Sequence, residues 1–75
     1  MNVNERVNEN IIRNMNGVRN SEDKGILEYN MARAKGYLSA LFDADLIVQE
    51  EWAEIESTLM NAYDYAFNEM NSNGI

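Results

Sequence analysis

The sequence predicts an all-α fold, and three observations carry that prediction. Proline is absent and glycine occurs only at positions 17, 25, 36 and 74, so little interrupts helix propagation. Glu, Ala, Leu and Met recur throughout, and each loses little side-chain freedom in a helix. Apolar residues repeat at steps of three and four in three separate runs, which is the period of a helix face and not the alternation of a strand. The expected architecture is a single domain, 1–75: an antiparallel helical hairpin, about 22–42 and 49–70, with an N-terminal helix at about 3–18. Two helices cannot cover two broad apolar faces, so the hairpin closes either as a three-helix bundle or as a dimeric bundle of two hairpins.

The first helix rests on Val3, Val7, Ile11, Ile12, Met15 and Val18. Seven of the first twenty residues are Asn, a mediocre helix former, so this helix should be the weakest. Gly17 and the cluster Asn20-Ser21-Glu22-Asp23 separate it from the second. Asn20 or Ser21 is expected to cap that second helix, with Glu22 and Asp23 beside its positive end. Its seam is Leu27, Met31, Ala34, Leu38 and Leu41, with Ile26, Tyr37 and Phe42 widening the face. Gly36 weakens the helix interior, and close approach of another backbone is its expected return. In the third helix Trp52, Ile55, Leu59, Ala62 and Ala66 repeat the spacing, and Tyr63, Phe67 and Met70 extend it. Leu27, Met31, Leu38, Leu41, Trp52, Ile55, Leu59 and Phe67 are thus the candidate core or oligomer seam. Residues 71–75 read as a fraying tail.

The connection F-D-A-D-L-I-V-Q-E-E-W-A-E, 42–54, starts like an EF-hand calcium loop. Asp43, Asp45 and Glu54 fall at its positions 1, 3 and 12. Ile47 at position 5 offers no side-chain oxygen, and Val48 stands where the sharp turn needs glycine. A helical-hairpin turn fits better. Asp43-Ala-Asp45 closes one helix, Leu46 and Ile47 tuck under the connection, and Val48 is the N-cap of the next, with Glu50 and Glu51 near its positive end. Ile47 and Trp52 then occupy the two positions of a hydrophobic staple.

The run Tyr37-Leu-Ser-Ala-Leu-Phe-Asp-Ala-Asp-Leu-Ile-Val-Gln-Glu-Glu-Trp resembles the short helix-turn-helix of SHOCT-like domains. There a helix ends in a small turn followed by a pattern like G-L-I-T-E-E-E-aromatic. Leu46, Ile47, Glu50, Glu51 and Trp52 match, whereas Asp45 replaces the turn glycine and Val48 the capping threonine. The resemblance implies an interaction or oligomerisation module without catalytic residues. Small proteins with such a hairpin are also similar to accessory products of phages and mobile elements.

Composition narrows the chemistry. Without Cys or His there is no disulfide, no thiolate zinc site and no imidazole acid-base pair, so the serines lack their usual activator. No catalytic residue, cofactor or metal is expected. No apolar run approaches a membrane span and no secretory signal is visible, so the expectation is a soluble cytoplasmic protein. The net charge is −7, and every Lys and Arg lies at or before Lys35. By simple counting the first 35 residues carry about +1 and the remainder about −8. Asp43, Asp45, Glu50, Glu51, Glu54, Glu56, Asp64 and Glu69 form the candidate partner-binding acidic surface. Such a field repels phosphate and attracts a basic protein, so direct nucleic-acid binding is not expected. The functional expectation is a non-catalytic protein-binding regulator. Its most concrete form is a phage- or mobile-element-encoded inhibitor of a nucleic-acid-binding host protein, of anti-CRISPR or other anti-defence type. The alternative is a homo-oligomerisation module, a homodimer at its simplest, whose acids only solubilise it.

Overall fold

The computed structural model describes residues 3–73, which form three helices: α1 (Val3–Arg19), α2 (Lys24–Asp43) and α3 (Gln49–Asn73). Each helix packs against both others, which makes a three-helix bundle measuring 45 × 22 × 15 Å. The connections are short, so consecutive helices are antiparallel neighbours. The N-terminus of α1 therefore lies at the same end as the α2–α3 turn.

The seam on α2 is buried along its whole length, from Leu27 at 0% exposure to Met31 at 5%. Across from it α3 supplies Leu59, Ala62 and Ala66, and α1 supplies Val7, Ile11 and Val18. The three most enclosed large side chains are Val18, Leu27 and Leu59, one from each helix. Met15, Tyr37, Trp52, Ile55, Tyr63, Phe67 and Met70 pack half-buried around them in one continuous cluster. The third wall of the core is thus α1, and the seam of the hairpin is covered within a single chain.

Several boundaries differ from the sequence reading. The α2 helix starts at Lys24, because Asp23 and not Asn20 or Ser21 is its cap: Asp23 Oδ1 accepts from the Ile26 N–H at 2.8 Å. Ser21 faces the other way, and its hydroxyl donates to the Gly17 carbonyl at 2.8 Å, closing the end of α1. Asn30 ties α2 to the same place, with its amide donating to Gly17 O and Ser21 Oγ. The α3 helix continues through Asn71, Ser72 and Asn73, while Gly74 and Ile75 lie outside the described residues. No close approach occurs at Gly36, where an added Cβ would meet nothing within 4 Å. Ile12, Ile26 and Phe42 were expected on apolar faces but are exposed. Each lies one residue from a buried neighbour, at the rim of a face too narrow to take both. The side chain of Val3 lies outside the described residues.

The α2–α3 turn is a Schellman motif. The Leu46 N–H donates to Leu41 O at 2.9 Å and the Asp45 N–H to Phe42 O at 3.0 Å. Asp45 takes the left-handed conformation with φ 59°, where glycine is free of strain and a Cβ is not. Asp45→Gly should therefore raise unfolding stability by about 0.5–1 kcal/mol, and Asp45→Val should lower it by at least about 1 kcal/mol. Urea melts of the two variants check this, with the denaturant slope unchanged.

Candidate functional site

The acidic surface anticipated from sequence is not one face. It separates into a group at the hairpin turn and members scattered along α3. Asp43, Asp45, Glu50, Glu51 and Glu54 are exposed at the turn end. Glu56 is half-buried on a flank of α3, and Asp64 lies further along. At 1.5 Å per residue, Glu69 is about 28 Å from Glu50. Glu69 instead shares a groove of about 610 Å³ at the opposite end with Arg19, Glu22, Asp23 and Lys24. There Arg19 lies 4.3 Å from the centre of the Tyr65 ring, and Lys24 lies 5.4 Å from that of Phe67. That end carries mixed charge, and its cations rest on aromatic faces.

The turn end is built stiffly. Val48 has no side-chain acceptor for the first N–H groups of α3, as its sequence position implied. The reciprocal half of a capping box is present instead: the Val48 N–H donates to Glu51 Oε1 at 2.9 Å, and the Val48 carbonyl accepts from the Trp52 N–H. Glu51 is thereby committed to the fold. Ile47 is buried, and Trp52 packs half-buried against the same cluster. The Trp52 ring also meets the Phe42 ring at 6.3 Å between centroids, tilted by 50°. This contact joins the end of α2 to the start of α3.

The same construction leaves apolar surface in solvent. Phe42 is 41% exposed, Leu46 42% and Val48 60%. Leu46, expected under the connection, is the C″ residue of the Schellman motif and only its partner Leu41 is buried. A shallow groove of about 260 Å³ opens beside them, lined by Ser39, Phe42, Asp43, Gln49 and Trp52. The turn end therefore exposes apolar side chains together with the carboxylates Asp43, Asp45, Glu50 and Glu54, of which Asp43 lines the groove. The acids are legible in the sequence, but the apolar exposure is not, because the period places Phe42 on the widened apolar face of α2.

The remaining candidates serve the fold. Leu27, Met31, Leu38, Leu41 and Leu59 are buried, and Trp52, Ile55 and Phe67 are half-buried in the same cluster. Among the described residues no group of three or more Asp and Glu side chains stands close enough to hold a metal ion. No protein-family model, no curated protein and no solved structure matches this chain.

One further polar contact links α3 to α2. The Tyr63 hydroxyl donates to Glu28 Oε1, while its ring stacks on Phe67 at 6.2 Å. The hydrogen bond to Glu28, then partial burial, then the charges of Glu28 and Asp64 raise the phenol above its ordinary pKa. A group raised in the folded state contributes fully below its unfolded pKa and loses that contribution as pH climbs through the folded one. Ultraviolet titration should place Tyr63 ionisation above that of free tyrosine, and Glu28→Gln should lower its midpoint. An unshifted midpoint in the parent protein would show that the bond is absent.

Proposed function

We propose that this chain is a non-catalytic acidic protein-binding regulator, and that the turn end of its hairpin is the surface presented to a basic site on the partner. One observation carries the reading. Exposed Phe42, Leu46 and Val48 share the turn end with half-buried Trp52, and the exposed carboxylates Asp43, Asp45, Glu50 and Glu54, free of any capping duty, stand at the same end. Protein interfaces concentrate binding energy in aromatic and aliphatic anchors at the centre and leave charge at the rim. A rim of one sign guides encounter with an opposite field and rejects wrong partners.

The partner chemistry follows from those carboxylates. A protein that ordinarily holds nucleic acid presents basic grooves with apolar or aromatic floors, and the turn end complements both properties. In its most concrete form the chain is a phage- or mobile-element-encoded inhibitor of such a host protein, of anti-CRISPR or other anti-defence type, acting in the cytoplasm. Small size, acidity and the SHOCT-like hairpin sequence support this version. The reading assigns no catalytic residue and no cofactor.

A tagged pull-down from nuclease-treated bacterial lysate tests it, with the parent protein run beside two variants. One combines Asp43→Asn, Glu50→Gln and Glu54→Gln, which touch no cap; the other is Phe42→Ala. A nucleic-acid-binding protein retained by the parent at low salt should be released at high salt. Both variants should bind it at least about tenfold more weakly, at unchanged helicity. Recovery of only the chain itself would favour the homo-oligomerisation module. Equal retention by parent and variants would remove the turn end from the interface.

A further inference from the structure

A second surface carries a different chemistry. Between α1 and α2 lies a groove of about 430 Å³ lined by Asn10, Arg13, Asn14, Gly17, Asn30, Arg33 and Tyr37. No Asp or Glu lines it, although the chain carries thirteen acidic residues against six basic ones. On α1 the lining positions fall at steps of three, one and three, and on α2 at three and four. Each set is one stripe beside the buried seam of its helix. Antiparallel packing sets Arg13 opposite Arg33, and the Asn30–Gly17 hydrogen bond fixes that register.

Three features of the groove point to a ligand. Arg13 and Arg33 are both exposed, and no carboxylate lines the groove beside them. Arg33 is steadied instead by the Tyr29 ring, at 5.9 Å from its centroid. The asparagines are half-buried, and two of them are oriented: Asn14 donates to the Asn10 carbonyl at 2.8 Å, and Asn30 donates to Gly17 and Ser21. Donation through the amide nitrogen leaves the carbonyl oxygen of each amide as an acceptor. Gly17 lies inside a helix, where it costs about 1 kcal/mol relative to alanine. An added Cβ there would meet nothing within 4 Å, so packing does not demand glycine. What its missing side chain leaves is open groove.

We infer that this groove binds a small phosphate monoester bearing a planar ring, the class of a nucleoside monophosphate. Two guanidinium forks suit a compact dianion better than a single carboxylate. Asn amides and the half-buried Tyr37 ring suit the polar edge and the face of a base. The volume is within the range of small-molecule sites. A polynucleotide is disfavoured, because it would extend past the groove onto a surface of net negative charge.

Calorimetric titration with adenosine monophosphate tests this, with inorganic phosphate and adenosine as separate arms and side-chain amide NMR as the readout of location. Adenosine monophosphate should bind more tightly than either fragment and shift the Asn10, Asn14 and Asn30 amide signals. Arg13→Gln and Arg33→Gln should each weaken it by about tenfold. Gly17→Leu should block the groove and abolish binding while leaving the melting temperature equal or higher, which separates loss of the site from loss of the fold. Absence of heat and of signal shifts would overturn the proposal, as would undiminished binding to the Gly17→Leu protein. Equal affinity for inorganic phosphate and the nucleotide would overturn the planar-ring assignment.

Discussion

Everything in this molecule depends on the one buried apolar cluster to which all three helices contribute, with Val18, Leu27 and Leu59 as its most enclosed large side chains. The hairpin of α2 and α3 has two apolar stripes that face partly inward and partly sideways. Pairing them leaves a trough, and α1 fills it with Val7, Ile11 and Val18. A chain of this size buries only about 60% of its unfolded surface. Without disulfides it has no covalent staple, so the third wall has to come from the chain or from a partner. Here the chain provides it, although α1 is rich in Asn and intrinsically the poorest helix of the three.

That core fixes the surfaces at both ends and along the side. Burial of Leu41 and Ile47 draws the turn closed, and the Schellman motif and the Glu51 cap complete it. Because the turn is tight, Phe42, Leu46 and Val48 have no interior left to enter and remain in solvent. The acidic residues at the turn are then held on a stiff frame, with their apolar neighbours, instead of on a loose loop. Along the side, the register of α1 against α2 opens the Arg13–Arg33 groove. The two surfaces have opposite charge, and the bundle keeps them apart.

Much of this was readable in the residues, for identifiable reasons. The seam from Leu27 to Leu41 repeats at four and three, and every member is buried, because burial on a helix follows period. The hairpin turn was readable because Val48 excludes the calcium loop and Ile47 and Trp52 mark a staple. The cap of α2 was not, since Asn20, Ser21, Glu22 and Asp23 stand in a row and three of them are capping residues. The choice of Asp23 follows from Ser21 being used by Gly17 at the end of α1, which is a contact between elements and not a property of either. Exposure of Phe42 likewise depends on how tightly the turn closes, and the open groove at Gly17 on how α1 packs against α2. A one-dimensional pattern does not carry that information. The dispersion of the acids is a related case: spacing by residue number places Glu50 and Glu69 in one list, and helix rise sets them at opposite ends.

Native-state hydrogen exchange tests the central claim that the three helices form one cooperative unit closed by α1. The amides of Ile11, Met15 and Val18 should exchange only through global unfolding, with the same free energy as those of Leu27, Leu38 and Leu59. Exchange of the α1 amides through a lower-energy opening, with α2 and α3 still protected, would contradict it. The hairpin would then be stable without its third wall.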